Sequence, residues 1–290
     1  MKYCQGPDPK TKPPNFKIPP RACDAHCHVF GPSEKFPFAE GRSYTPPDSS
    51  FEAMQVLQNV LGIERAVIVQ ATCHGTDNTA ALDAIARSEG RYRGVAIVDD
   101  TFTTSDFLRL NEGGMRGIRF SFARHIGNAP DFEMVRRIAE KVEPLGWHVV
   151  IYMEAADIVD NADTLADLPL PVVIDHMGRV KTEDGVDQEA FQLLLGLLRD
   201  KEDFWVKICG AERISSGGAP FEDAVPFAQA CIVAAPDRVL WGTDWPHPNI
   251  EGLMPNDGDL MNLLSLHAPN EDDRNRILVD NPARLYGFPD

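Results

Sequence analysis

Short apolar runs rich in Val and Ile recur along this chain, separated by stretches in which apolar residues fall at helical spacing. The runs cover 24–30, 65–73, 92–99, 115–122, 147–154, 171–176, 204–210 and 238–243. Most are continuous rather than alternating, as expected of parallel strands buried on both faces. Between them, Ser49 followed by Glu52 reads as a capping box, with Gly62 closing that helix. Asn78 to Ser88 has helical spacing and stops at Gly90, and Phe132–Val142, Glu189–Leu198, Phe221–Ala234 and Asp272–Val279 behave alike. Eight strand-then-helix units predict a (β/α)8 TIM barrel, α/β in class. An open doubly wound sheet ranks below it, because no GxGxxG follows any strand. The expected organisation is an irregular Pro-rich arm over 1–22 and a single barrel over 23–290, with a long loop at 31–48 after the first strand.

The 290 residues suit one large α/β barrel or two ordinary domains, and 43% hydrophobic with 25% charged residues describes a soluble globular protein with a full core. No run approaches the roughly 18 apolar residues of a membrane span, and the start of the chain has no apolar signal-peptide core. The expectation is a cytoplasmic protein. Six dispersed cysteines without a CxxC pair read as buried small residues, not a disulfide framework. A net charge of −16 argues against nucleic acid or anionic membrane as partners, and an anionic substrate would need its own cluster of arginines. The oligomeric state is not legible.

The chemistry begins in the first strand, Asp24-Ala-His-Cys-His-Val-Phe30. Residues i and i+2 of a strand share a face, so His26 and His28 should stand side by side while Ala25, Cys27 and Val29 pack the other way. Two imidazoles facing one interior rarely help folding, since each brings polar atoms that need partners. In a barrel, catalytic groups sit at the C-terminal ends of strands. That filter leaves His26 and His28, Thr72 and His74, Arg119, Tyr152 and Glu154, His176, Arg213 and Asp244. By parity Val172, Ile174 and His176 share a face, as do Leu240, Gly242 and Asp244. Singly, each of these residues has an ordinary structural reading: a cap, a barrel-filling aromatic or a solvated charge. Together, HxH on the first strand, His on the sixth and Asp on the eighth converge only if the barrel closes, and the set reads as catalytic. His125 and His247 read as loop residues, and Cys27 faces away from both histidines.

HxH, His and Asp at these positions resemble the amidohydrolase superfamily. The longer strings Asp24-Ala-His-Cys-His-Val-Phe-Gly-Pro32, Gln70-Ala-Thr-Cys-His-Gly-Thr-Asp-Asn78, Ile174-Asp-His-Met-Gly-Arg179 and Trp241-Gly-Thr-Asp-Trp-Pro-His-Pro-Asn249 resemble the 2-pyrone-4,6-dicarboxylate hydrolase family. The likeness runs from about residue 20 to Asn281-Pro-Ala-Arg-Leu-Tyr286. It implies hydrolysis of a pyrone dicarboxylate lactone to an open-chain carboxymuconate, in bacterial breakdown of lignin-derived aromatics. It implies Asp244 as general base, and His26, His28 and His176 around the scissile carbonyl. Tyr44, Thr72, Arg119, Tyr152, Arg179 and Arg213 match substrate-holding positions, Thr72 standing where serine is common. One position departs: the family's second arginine after the fourth strand aligns on His125, while Arg124 sits one residue earlier, so either could take that carboxylate.

Binuclear amidohydrolases also use a bridging Lys or Glu on strand four and a His on strand five. Here those places hold Arg119 and Tyr152, and an arginine repels a metal rather than ligating it. No cofactor is expected, and the resemblance implies metal-independent hydrolysis. A single Zn²⁺ on His26, His28, His176 and Asp244 is a chemically compatible alternative. The expected partner is a small anionic lactone. A sulfomuconolactone hydrolase, a sugar-acid lactone hydrolase and a metal-dependent decarboxylase are the competing functions.

Overall fold

All eight apolar runs form strands, each shorter than its run. The computed structural model describes residues 2–123, 126 and 129–289. The strands are β1 (Cys23–Cys27), β2 (Arg65–Val69), β3 (Tyr92–Ala96), β4 (Met115–Ser121), β5 (His148–Tyr152), β6 (Val172–Ile174), β7 (Phe204–Lys207) and β8 (Val239–Leu240). They are parallel and paired in chain order. Between and after them lie α1 (Phe51–Leu61), α2 (Thr79–Arg87), α3 (Thr104–Glu112), α4 (Phe132–Val142), α5 (Ala155–Ala166), α6 (Glu189–Asp200), α7 (Val225–Ala234) and α8 (Asp257–His267). The cap of α1 is Ser50, one residue later than the sequence suggests; Ser49 instead pairs its backbone with Phe30.

The ends of the sheet meet through backbone hydrogen bonds from Ala25 N to Trp241 O (2.9 Å), Asp244 N to His26 O (2.8 Å) and His28 N to Trp245 O (2.8 Å). Gly242 permits this approach, because a Cβ there would lie 2.5 Å from the His26 nitrogen. Inside the barrel, Cys23, Ala25, Val67, Val95, Val150, Val173 and Leu240 pack together, and Tyr286 and Phe288 plug the end where the strands begin. On the outer face, Ile68, Ile118, Val149, Ile151, Val172 and Ile174 pack against the helices.

This inside–outside division corrects two parity readings. The register of β1 shifts between Asp24 and Cys27, so Ala25 lies in the interior cluster while Cys27 and Val29 face the helices. Val172 and Ile174 face outward, the opposite of the face assigned to His176. His176 reaches the interior by another route, described below.

The arm is not wholly irregular. Lys2–Tyr3 adds as a parallel strand to Tyr44–Thr45, and Lys12 and Asn15 donate their backbone N–H groups to Asn256 and Asn262. All six cysteines are free, and five are buried. No helix among the described residues is long and apolar enough to cross a membrane.

Candidate active site

The site lies past the strand ends, where the backbone leaves the sheet. After Ile174, residues 175–179 form a tight turn in which His176 (φ 51, ψ 46) and Met177 are left-handed. That reversal swings His176 inward. Gly210 makes room, since a Cβ there would lie 2.6 Å from His176 Nδ1. Asp244 is also left-handed (φ 63). Such backbone is costly for a residue with a side chain and clusters at functional sites.

Three imidazoles meet here. The ring of His26 lies 5.0 Å from that of His28 and 4.8 Å from that of His176. His28 Nδ1 contacts Val69 O at 2.7 Å, and its Nε2 lies 3.2 Å from Asp244 Oδ1. His26 Nε2 faces the same carboxylate oxygen at 3.4 Å and makes no hydrogen bond among the described residues. His176 Nδ1 sits 3.4 Å from Cys209 Sγ. On the far side of Asp244, Arg213 Nε donates to Oδ2 at 2.5 Å while its Nη2 donates to Pro248 O.

Beneath the histidines is a second charged group. Asp175 is fully buried, with Arg119 Nε on Oδ2 at 2.9 Å and Lys207 Nζ 3.1 Å from Oδ1. Lys207 Nζ also lies 3.1 Å from His26 Nδ1. Burial by itself would raise both carboxyls. The surrounding cations outweigh it: Lys207, then Arg119, hold Asp175 well below the usual carboxylate range, and Arg213 leads the groups that do so for Asp244. Burial, then Lys207, pushes His26 well below its ordinary value, and burial brings His176 down to about 4. At neutral pH His26 and His176 are therefore neutral, and Asp175 and Asp244 are ionised.

A narrow cavity of about 20 Å³ opens onto these groups. His28, Tyr44, Thr72, Arg119, Tyr152, His176, Arg213 and Asp244 line it, joined by Ile126, Pro248 and Asn249. His26 lies just beneath. Arg179 borders an adjoining vestibule of about 530 Å³ with Lys2, Arg213 and Asn249. It pairs with Glu154 at 3.2 Å and donates to the Tyr152 hydroxyl. Thr72 Oγ1 is 3.4 Å from the Tyr44 hydroxyl. His74 stands apart, against Phe38 and Pro37 O. Arg124 and His125 lie outside the described residues.

Sequence reasoning passed over Asp175 and Lys207. An inward-facing lysine two residues from Trp205, on a strand otherwise apolar, was a readable signal. It also misread His247, which is fully buried, with Nε2 3.0 Å from Asp257 and Nδ1 3.6 Å from Glu212. Asp24 is buried too, accepting from the Thr243 hydroxyl at 2.6 Å.

Residues 23–288 match the amidohydrolase family model. The chain belongs to the amidohydrolase family. Among its relatives, a 2-pyrone-4,6-dicarboxylate hydrolase of Comamonas testosteroni is 45% identical over 94% of this chain and 92% of its own length. A 4-sulfomuconolactone hydrolase of Hydrogenophaga intermedia is 44% identical over 98% and 94%. A solved structure named as a probable 2-pyrone-4,6-dicarboxylic acid hydrolase from Acinetobacter baumannii, with citric acid bound, superposes with a TM-score of 0.80. It is 26% identical and covers 92% of this chain and all of that one.

Amidohydrolase family members often use a metal, and the donor atoms of His26, His176 and Asp244 lie within 4.8 Å of one another. The charges around them fit a cation poorly. Arg213 already neutralises Asp244, Lys207 stands against His26, and Arg119 occupies the strand-four place of a bridging ligand.

Proposed function

We propose that this amidohydrolase opens the lactone of 2-pyrone-4,6-dicarboxylate to 4-carboxy-2-hydroxymuconate, with no metal taking part. The reading is carried by the ionised Asp244 carboxylate, set against His26 and His28 and ringed by Arg119, Arg179 and Arg213. The two lactone-hydrolase relatives support it.

Asp244 takes a proton from water, and the hydroxide oxygen bonds to the lactone carbonyl carbon. General-base help of this kind is worth about 10²- to 10⁴-fold. The imidazoles of His26 and His176 donate to the oxygen on which negative charge gathers. The tetrahedral intermediate collapses by breaking the ring C–O bond, and the departing enolate oxygen takes up the proton that Asp244 removed from water, which restores the carboxylate. Guanidinium forks hold the two carboxylates. A substrate carboxylate that engages Arg213 draws it from Asp244, which makes the base stronger as substrate arrives.

A second reading, hydrolysis of a sulfomuconolactone, is favoured by the second relative, because a guanidinium accepts a sulfonate as readily as a carboxylate. The deciding experiment follows loss of pyrone absorbance with chelator-treated protein, beside the same assay on 4-sulfomuconolactone. The expected result is full activity without metal and a kcat/KM at least tenfold higher for the pyrone. A preference for the sulfonate adopts the second reading, and activity that returns only with Zn²⁺ contradicts the metal-free step.

A further inference from the structure

We propose that Lys207 is a positioning residue that fixes the tautomer of His26, turning the first histidine of the HxH pair into a hydrogen-bond donor at Nε2. This rests on the lactonase reading only for what Nε2 is aimed at. Lys207 and Asp175 are completely buried inside the barrel, and Lys207 Nζ lies 3.1 Å from both Asp175 Oδ1 and His26 Nδ1. An ammonium has three donors and no acceptor. A nitrogen that it hydrogen-bonds must therefore present a lone pair, which leaves Nδ1 bare.

The rival partner for Nδ1 is Asp175 Oδ1, 3.2 Å away, which would favour a proton there. The angle to that oxygen is poor for a hydrogen bond, whereas the Lys207 contact is well formed. A proton on Nδ1 would also point into an ammonium in a dry interior. With the Lys207 ammonium donating to Nδ1, the ring proton sits on Nε2. That atom faces Asp244 Oδ1 at 3.4 Å and has no hydrogen-bond partner among the described residues. It is placed to donate to a carbonyl oxygen bound over the three imidazoles. A neutral imidazole binds a metal through its unprotonated nitrogen, so the same lysine removes His26 Nε2 from the set of cation ligands.

The test is ¹⁵N–¹H correlation of histidine-labelled protein without substrate, His26 being assigned from a His26→Gln spectrum. The expected result is a protonated Nε2 and a bare Nδ1; a proton on Nδ1 overturns the proposal. Lys207→Met should move the proton to Nδ1, lower kcat on the pyrone lactone about 10²-fold, as for a lost oxyanion donor, and raise stoichiometric Zn²⁺ uptake. Lys207→Gln keeps a neutral donor and should stay within about tenfold of wild type. If both variants lose activity alike with the proton still on Nε2, Lys207 is only a buried ion-pair member and the proposal fails. If Lys207→Met does not fold, the wild-type spectrum decides. Because that spectrum needs no turnover, a wrong substrate leaves its outcome unchanged.

Discussion

Arg213 and Arg119 each do two things. Arg213 touches both the cavity and Asp244. Arg213→Gln should raise KM for the dianion about ten- to a hundredfold, the worth of a charge-assisted contact of roughly 1.5–3 kcal/mol. It should also move the acid limb of kcat/KM. Asp244 is held low chiefly by this guanidinium against the opposing effect of burial. Without it the carboxylate protonates at higher pH, so activity begins to fall at higher pH than in wild type. A pH profile with an unmoved acid limb would mean that Arg213 does not control the base. Arg119 was expected simply to hold substrate, yet its Nε is committed to buried Asp175. Arg119→Met should therefore lower stability as well as kcat/KM, near the lower end of the roughly 3–5 kcal/mol of a broken buried pair, because Lys207 remains. Denaturant unfolding beside kinetics separates the two effects. The sequence showed Arg119 as a cation in an apolar run. It could not show the carboxylate beneath it, since Asp175 reaches that place from another strand end.

The elements were legible where burial is continuous. α4 carries four buried apolar residues at helical spacing and begins and ends as expected. α3 and α5 each bury only two, Phe107 with Leu110 and Ile158 with Leu165, so their pattern is faint. The strand ends were overrun because the apolar character continues into turns, and there parity stops applying: His176 is inside through left-handed backbone, not by alternation. The segment after β8 shows a different device. His247 is clamped between Asp257 and Glu212; burial works against its charge, but the two carboxylates prevail and raise it from 6.5 to about 10. A raised histidine stabilises the fold fully below its unfolded value and loses that contribution as pH climbs through the folded one. Thermal stability should therefore fall between about pH 6.5 and 10. His247→Gln should be less stable at pH 7 and should flatten that slope. An unchanged slope would show that the clamp carries no charge.

At the scale of the molecule, closure of the barrel and assembly of the site are one event. The hydrogen bond that joins Asp244 N to His26 O ties the proposed base to the first imidazole, and Gly242 sets how closely the two edges approach. Gly242→Ala forces a methyl to within 2.5 Å of the His26 nitrogen and 2.8 Å of Asp24 Oδ1. It should destabilise by about 1–3 kcal/mol, as overpacking does, and should lower kcat by displacing Asp244. Full activity together with a lowered melting temperature would mean that the site does not depend on that seam. Net charge belongs to this scale too. A chain of −16 meets a dianion only through local cations; the charge required them, and the resemblance placed them at Arg119, Arg179 and Arg213, which line the cavity and its vestibule.

The central claim is that Asp244 activates water without a metal, and kcat of Asp244→Asn on 2-pyrone-4,6-dicarboxylate in metal-free protein tests it most directly. The expected result is a fall of at least about 10²-fold, with unchanged circular dichroism and retained binding of substrate. A folded Asp244→Asn protein that keeps more than about a hundredth of wild-type kcat would contradict it.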